Sequence, residues 1–414
     1  MATYKIWGGR PLVGEIPIHG AKNSVLPILA ASLLCKGRCI LRNCPHISDV
    51  EAALEILRCL GCEAHWEGEL LSVDSTHAEG TEIPITLMRR MRAAVVFLGP
   101  LLARFGCARI YQPGGCVLGE RPIDYHLSGL RQMGVRCEYE GETLCCQTER
   151  LRGCVLTLPF PSVGATENLL LAAVGCAEEV VICNGAKEPE IADLIGFLRD
   201  CGAEIDDSGP VLRVRGGRPL YGTVNSVVPD RMEAATYLMA GAITRGDVTL
   251  HGVRPEHLKA VTKLLRQGGC ELTEERRTMR LRCDGMRAVG PIVTAPYDGF
   301  PTDAQAPMMA LLTTARGASV MEETMFTHRF AHVPALQQMG AKIHATRRYA
   351  IVEGVERLRG ACVEATDLRG GAAMVLAALS ADGCSEIRKI EHMERGYTDM
   401  VSILQGLGAD ITME

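Results

Sequence analysis

Apolar positions spaced three and four apart, as in Ile191, Leu194, Ile195 and Leu198, predict an amphipathic helix that stops at a glycine, after which a short alternating strand begins. This Leu-x-x-x-Gly pattern occurs six times, ending at Gly61, Gly134, Gly202, Gly269, Gly340 and Gly408. Successive glycines are 73, 68, 67, 71 and 68 residues apart, so the chain is an internal repeat. Each glycine is placed to take the left-handed cap that closes a helix.

A second kind of helix recurs between these, rich in small apolar residues and apolar on nearly every side: 23–34, 166–177, 231–242, 303–314 and 367–378, and less cleanly 88–103. Such helices belong in an interior, with the amphipathic set outside them. Each unit then runs helix, strand, helix, strand, strand. One unit of about 70 residues cannot cover both faces of its sheet, whereas three packed together can. The expectation is an α/β protein of two similar domains, three units in each.

The sixth unit stops after one strand, GADITME, and the chain opens with an unmatched strand, Tyr4-Lys5-Ile6-Trp7. Pairing them completes the unit. This assigns 1–20 and 229–414 to one domain and makes 21–228 a continuous insert. Two chain crossings join the domains and predict a hinge, with the ligand in the cleft beside it.

Composition narrows the function. A chain of 414 residues, 47% hydrophobic and 22% charged, can bury two cores. The net charge of −5 and 4% aromatic content argue against a nucleic-acid partner. No apolar run approaches the ~20 residues that cross a bilayer, and the opening residues lack a signal-peptide core. A cytoplasmic protein with no membrane partner is expected. The 18 cysteines are spread along the chain and are expected to be reduced. Cys59-x-x-Cys62 and Cys145-Cys146 are not completed into a zinc set by any second Cys or His pair, so no metal is expected.

The common signatures GxGxxG, HExxH and GxSxG are missing, and Gly114 to Gly119 has phosphate-loop spacing but is followed by Glu120 and Arg121. What remains is a set of polar residues at the starts of the small-residue helices and in one loop. Lys22 and Asn23 lie at a helix start, where free amides favour an anion. Asp303 and Asp367 hold the equivalent place in other units, where simple capping accounts for them as well as chemistry does. In the loop YQPGGCVLGERPID, Cys116 is close to Arg121, which favours its thiolate. Arg92, Arg329, Arg369 and Arg395 sit beside turns or helix starts, and guanidinium groups so placed suit a multiply anionic small molecule.

The ordered segments GAKNSVLP, LGPLLARFG, QPGGCVLGERPID, PSVGAT, EPEI, VPDRMEA, FPTDAQ, HRFAHVPAL, TDLRG and ERGY cover nearly the whole chain. In them the chain resembles the UDP-N-acetylglucosamine enolpyruvyltransferase (1-carboxyvinyltransferase) family. The resemblance implies two inside-out α/β barrels of three βαβαββ units each. It implies transfer of the enolpyruvyl group of phosphoenolpyruvate to the 3-hydroxyl of UDP-N-acetylglucosamine, releasing phosphate, as the first committed step of peptidoglycan synthesis. No metal or organic cofactor is implied, and a monomer is expected. The sibling shikimate-phosphate enzymes share the fold but lack GAKN and the cysteine loop. A weakly active paralogue serving as a sugar-nucleotide sensor is the alternative, yet no central residue is lost.

The resemblance carries over Cys116 as proton donor and site of a pyruvate adduct, and Asp303 as general base. Lys22, Arg121 and Arg395 would hold phosphoenolpyruvate, supported by Arg369 and Asp367, with Asn23 on the sugar. Arg121, Pro122, Ile123, Asp124 and Tyr125 would meet the uridine. Ser162, Val163 and Gly164 would meet the diphosphate. Arg92, Met325 and Arg329 would form the closing edges. Three positions depart from the family's pattern. Glu120 stands where a small residue is common and opposes thiolate formation at Cys116, and Ser48 and Phe160 replace lysines of some members.

Overall fold

The computed structural model describes residues 2–111 and 123–414. These form two compact units, one of residues 2–19 and 229–414, the other of 20–111 and 123–228. Each contains three four-stranded sheets, and the second adds a short parallel pairing of Cys35–Lys36 with Leu220–Tyr221. Each unit is an inside-out α/β barrel.

All six four-stranded sheets are wired alike. In one, Ile292–Val293 runs parallel to Ala318–Glu322, which is antiparallel to Tyr349–Glu353, which is in turn antiparallel to Lys342–Ala345. The parallel step requires a crossover, and the small-residue helix Gln305–Leu312 supplies it. The strands alternate buried and exposed residues, as in Tyr349–Glu353, so each sheet keeps one face outward and lays the other on the helices. The opening strand Thr3–Trp7 lies between Cys384–Arg388 and Asp410–Met413, antiparallel to both, with Ile6 opposite Ser385 and Ile411. The last unit is therefore closed by the first strand of the chain.

The repeated glycines have a single backbone role. Gly61, Gly134, Gly202, Gly269, Gly340 and Gly408 all adopt φ between 88° and 108°. In each case the next residue donates its amide to the carbonyl of the leucine that opens the motif, from Cys62 to Leu57 through Ala409 to Leu404. This is the six-to-one hydrogen bond of a Schellman motif, which only a left-handed residue permits. The six leucines are at most 1% exposed. One motif thus stops the outer helix, turns the chain into its strand and anchors both to the core.

The inner helices are buried as their composition requires. Residues 24–32 of Lys22–Ser32 and residues 232–243 of Arg231–Ile243 have no exposed face. Arg231–Ile243, Gln305–Leu312 and Leu368–Ser380 pack on one another, their alanines and glycines allowing close approach.

The predicted helix over 88–103 is instead broken into Ile85–Arg90, a 3-10 turn Arg92–Phe97 and Leu98–Phe105. Met91 is extended and fully buried at the first break. Beyond it, the Asn168 carboxamide enters the ladder, accepting from the Gly99 amide and donating to the Val95 carbonyl at 2.7 Å. Those two backbone groups are partners in an unbroken α-helix. No helix of the described residues is long and apolar enough to cross a membrane.

Candidate active site

In the unit of residues 2–19 and 229–414, the sequence candidates meet at the helix starts. Asp303 lies on the 3-10 turn Thr302–Ala304 that leads into Gln305–Leu312. Its Oδ1 accepts from Arg329 Nη2 at 2.9 Å and its Oδ2 from Arg369 Nη2 at 3.3 Å. Both guanidinium groups are 3% exposed, whereas the Asp303 side chain is 29% exposed. The buried cations thus fix a part-exposed carboxylate. Arg329 also donates twice to the Thr302 carbonyl, at 3.2 and 3.0 Å, which fixes the turn itself.

Arg369 is the second residue of Leu368–Ser380, and Asp367 caps that helix by accepting from the Arg369 and Gly370 amides. Arg369 Nη1 donates to Tyr397 Oη at 3.0 Å, and that hydroxyl meets Thr236 at 2.9 Å. Burial opposes the guanidinium charge, but Tyr397, Asp303 and Asp230 outweigh it and its pKa is raised. Burial pushes the Tyr397 hydroxyl up against the opposing pull of Arg369. Arg395, half-buried, lies two residues before Tyr397.

Sequence reasoning missed the residue that shapes the neighbouring loop. Glu323 is 1% exposed. Its carboxylate accepts from the Thr294 and Thr302 hydroxyls, both at 3.0 Å, and from the amides of Met325 at 2.8 Å and Phe326 at 3.1 Å. Met325 and the Asp303 turn are therefore held by one buried acid. The only hint in the sequence was its place in MEET beside Met325. His332 is fully buried nearby, and burial drives its pKa down to about 4, aided by Arg329 and opposed by Asp367.

In the unit of residues 20–111 and 123–228, Lys22 opens Lys22–Ser32, and its Nζ pairs with Asp49 Oδ2 at 2.7 Å. Asp49 is buried, so the ammonium is held rather than free to sweep through solvent. Asn23 is exposed beside it. Asp193 braces the same helix start, accepting from Ser24 and from the Val228 amide. Arg92 is half-buried at the head of its 3-10 turn.

Ser162 caps Val163–Val174, accepting from the Ala165 amide, while Val163 and Gly164 form the first turn with their amides at the helix's positive end. Ile123, Asp124 and Tyr125 begin the helix Asp124–Gln132, which packs on Val163–Val174. Asn168 also donates to His126 Nδ1 at 2.9 Å, which leaves the ring proton on Nε2. One amide thus ties together the segments that carry Arg92, Asp124 and Ser162. Burial lowers the His126 pKa to about 4. Cys116, Arg121 and Pro122 lie outside the described residues.

The EPSP synthase family (3-phosphoshikimate 1-carboxyvinyltransferase) matches residues 6–404. UDP-N-acetylglucosamine 1-carboxyvinyltransferase 2 of Caldanaerobacter subterraneus is 43% identical over 413 residues, covering 99% of each chain. UDP-N-acetylglucosamine 1-carboxyvinyltransferase of Finegoldia magna is 44% identical over 405 residues, covering 97% of this chain and 96% of its own. Among solved structures, the enolpyruvyl transferase NikO of Streptomyces tendae superposes with a TM-score of 0.91 at 26% identity, covering 100% of this chain and 98% of its own.

Proposed function

This chain belongs to the UDP-N-acetylglucosamine 1-carboxyvinyltransferase family, and we propose that it transfers the enolpyruvyl group of phosphoenolpyruvate to the 3-hydroxyl of UDP-N-acetylglucosamine, releasing phosphate. The observation that carries the chemistry is the part-exposed Asp303 carboxylate, held at a helix start by two buried guanidinium groups.

The reaction is an addition followed by an elimination. Asp303 accepts the proton of the sugar hydroxyl as its oxygen attacks C2 of phosphoenolpyruvate, while Cys116 delivers a proton to C3. Loss of a proton from C3 then expels phosphate and restores the double bond. Lys22, Arg121 and Arg395 neutralise the phosphate and carboxylate of the donor as C2 becomes tetrahedral. Arg369 and Arg329 act through Asp303, which they orient, and Asp367 fixes the helix that carries Arg369. Asn23 contacts the sugar, Arg121 to Tyr125 the uridine, and the helix start at Ser162, Val163 and Gly164 the diphosphate. Arg92 and Met325 border the nucleotide. The chemistry calls for no metal or organic cofactor.

This activity is the first committed step of peptidoglycan synthesis. On this reading the protein works in the cytoplasm as a monomer, upstream of cell shape and division. The test is phosphate release from phosphoenolpyruvate by the purified protein. Release that depends on UDP-N-acetylglucosamine supports the assignment, and equal release with shikimate 3-phosphate overturns it.

A further inference from the structure

Three cysteines that the proposed chemistry does not use come together in the interior of the unit of residues 20–111 and 123–228. Cys35 lies in the strand Cys35–Lys36, Cys39 in Arg38–Arg42, and Cys201 caps the outer helix Pro189–Asp200. All three are at most 2% exposed. Cys35 Sγ and Cys201 Sγ are 3.4 Å apart, and all three sulfur atoms lie within 4.8 Å of one another. Cys270 and Cys283, 3.2 Å apart, form by contrast a simple pair.

The spacing suits a shared ion. At a metal–sulfur distance of ~2.3 Å, three sulfurs around one centre stand ~4 Å apart, so the cluster needs adjustments of no more than about an ångström. Thiolates select soft cations. No fourth histidine, cysteine or carboxylate among the described residues joins the group, which leaves a zinc ion short of its tetrahedral set.

We propose that Cys35, Cys39 and Cys201 form a buried three-sulfur site for a soft d10 cation, copper(I) being the one that three sulfur ligands satisfy. Each thiol that binds as a thiolate gives its proton to solvent, and copper keeps its oxidation state. Because Cys35 and Cys39 come from the first repeat and Cys201 from the third, the bound ion would clamp the two ends of this unit together.

The test uses the full-length protein under anaerobic, reducing conditions. Exposed thiols, Cys59, Cys362 and Cys384 among them, are first capped with iodoacetamide in the native state. Copper(I) is then titrated in competition with bicinchoninate. The expected result is one tightly held equivalent that weakens ~100-fold or more in Cys201→Ala and Cys39→Ala but persists in Cys176→Ala, a buried cysteine outside the cluster. X-ray absorption of the loaded wild-type protein, which requires no variant to fold, should find three sulfur neighbours. Two sulfur neighbours, retention unchanged in Cys201→Ala, or preferential retention of zinc would overturn the proposal. Each readout is independent of enolpyruvyl transfer, so it can fail while the assigned activity stands.

Discussion

The side chain of Asn168 accepts the amide hydrogen of Gly99, a residue 69 positions earlier, and so takes the place of that helix's own carbonyl. Asn168→Ala leaves the Gly99 amide and the buried His126 Nδ1 without partners and strips the Val95 carbonyl of one of its two donors, the other being the Leu98 amide. At about 1–3 kcal/mol for each orphaned group, a loss of about 2–5 kcal/mol is expected. The urea midpoint of the purified variant measures it.

His126 and His332 are neutral in the folded protein, their pKa values lowered from 6.5 to about 4 chiefly by burial. The unfolded chain therefore binds protons that the native state refuses. Stability is complete above pH ~6.5 and falls as the pH drops toward 4, by about 3 kcal/mol for each histidine. NMR titration of the imidazole C2 protons should find both rings neutral at pH 5.5, where an exposed histidine is charged.

Asp303→Asn keeps a carbonyl acceptor for one guanidinium but cannot take the sugar's proton. Phosphate release should fall ~100-fold or more, and the melting temperature should fall as well, because neutral asparagine removes the counter-charge of both buried guanidinium groups. Asp303→Ala should destabilise further, to a total of about 3–5 kcal/mol, because Arg329 and Arg369 then lose the acceptor as well as the counter-charge. Comparing the two variants by calorimetry and turnover separates the chemical role from the structural one.

Glu323→Gln replaces an acceptor of two hydroxyls and two amides by a group that must present an N–H to at least one of them. The expected cost is about 2 kcal/mol. Since this acid holds Met325 and the Asp303 turn, KM for the sugar nucleotide should rise more than kcat falls. A variant with unchanged KM and lowered kcat would contradict a positioning role.

Gly340 has φ +94°, and nothing lies within 4 Å of where a Cβ would sit. Gly340→Ala therefore isolates the backbone cost of the left-handed cap, about 1–2 kcal/mol, without a clash. Thermal denaturation of the alanine variant checks this.

The repeat was legible because its cause is local. A helix ending in a Schellman motif must place a glycine after an apolar anchor, and Leu57 to Gly61 or Leu336 to Gly340 write that requirement directly into the sequence. The pairing of the first strand with the last was legible because the sixth unit lacked a strand. Contacts made across repeats left no such trace. Nothing near Gly99 announces Asn168, and the short interruption it causes looks like continuous helix in the pattern. Asp303 and Arg369 were visible as polar residues at helix starts, but their mutual contact and the buried course of Arg329 depend on packing. Glu323 was overlooked because a lone acid in a polar turn resembles a solvated one.

The place of Thr3–Trp7 between Cys384–Arg388 and Asp410–Met413 imposes an order of events during synthesis. The inserted unit has every one of its strands once residue 228 has left the ribosome, and it can close by itself. The opening strand must wait for partners made last, which at about 5–20 residues per second means tens of seconds with its edges unpaired. During that interval the nascent chain carries a finished lobe and an idle ribbon, and that ribbon is where a holdase chaperone would be most useful.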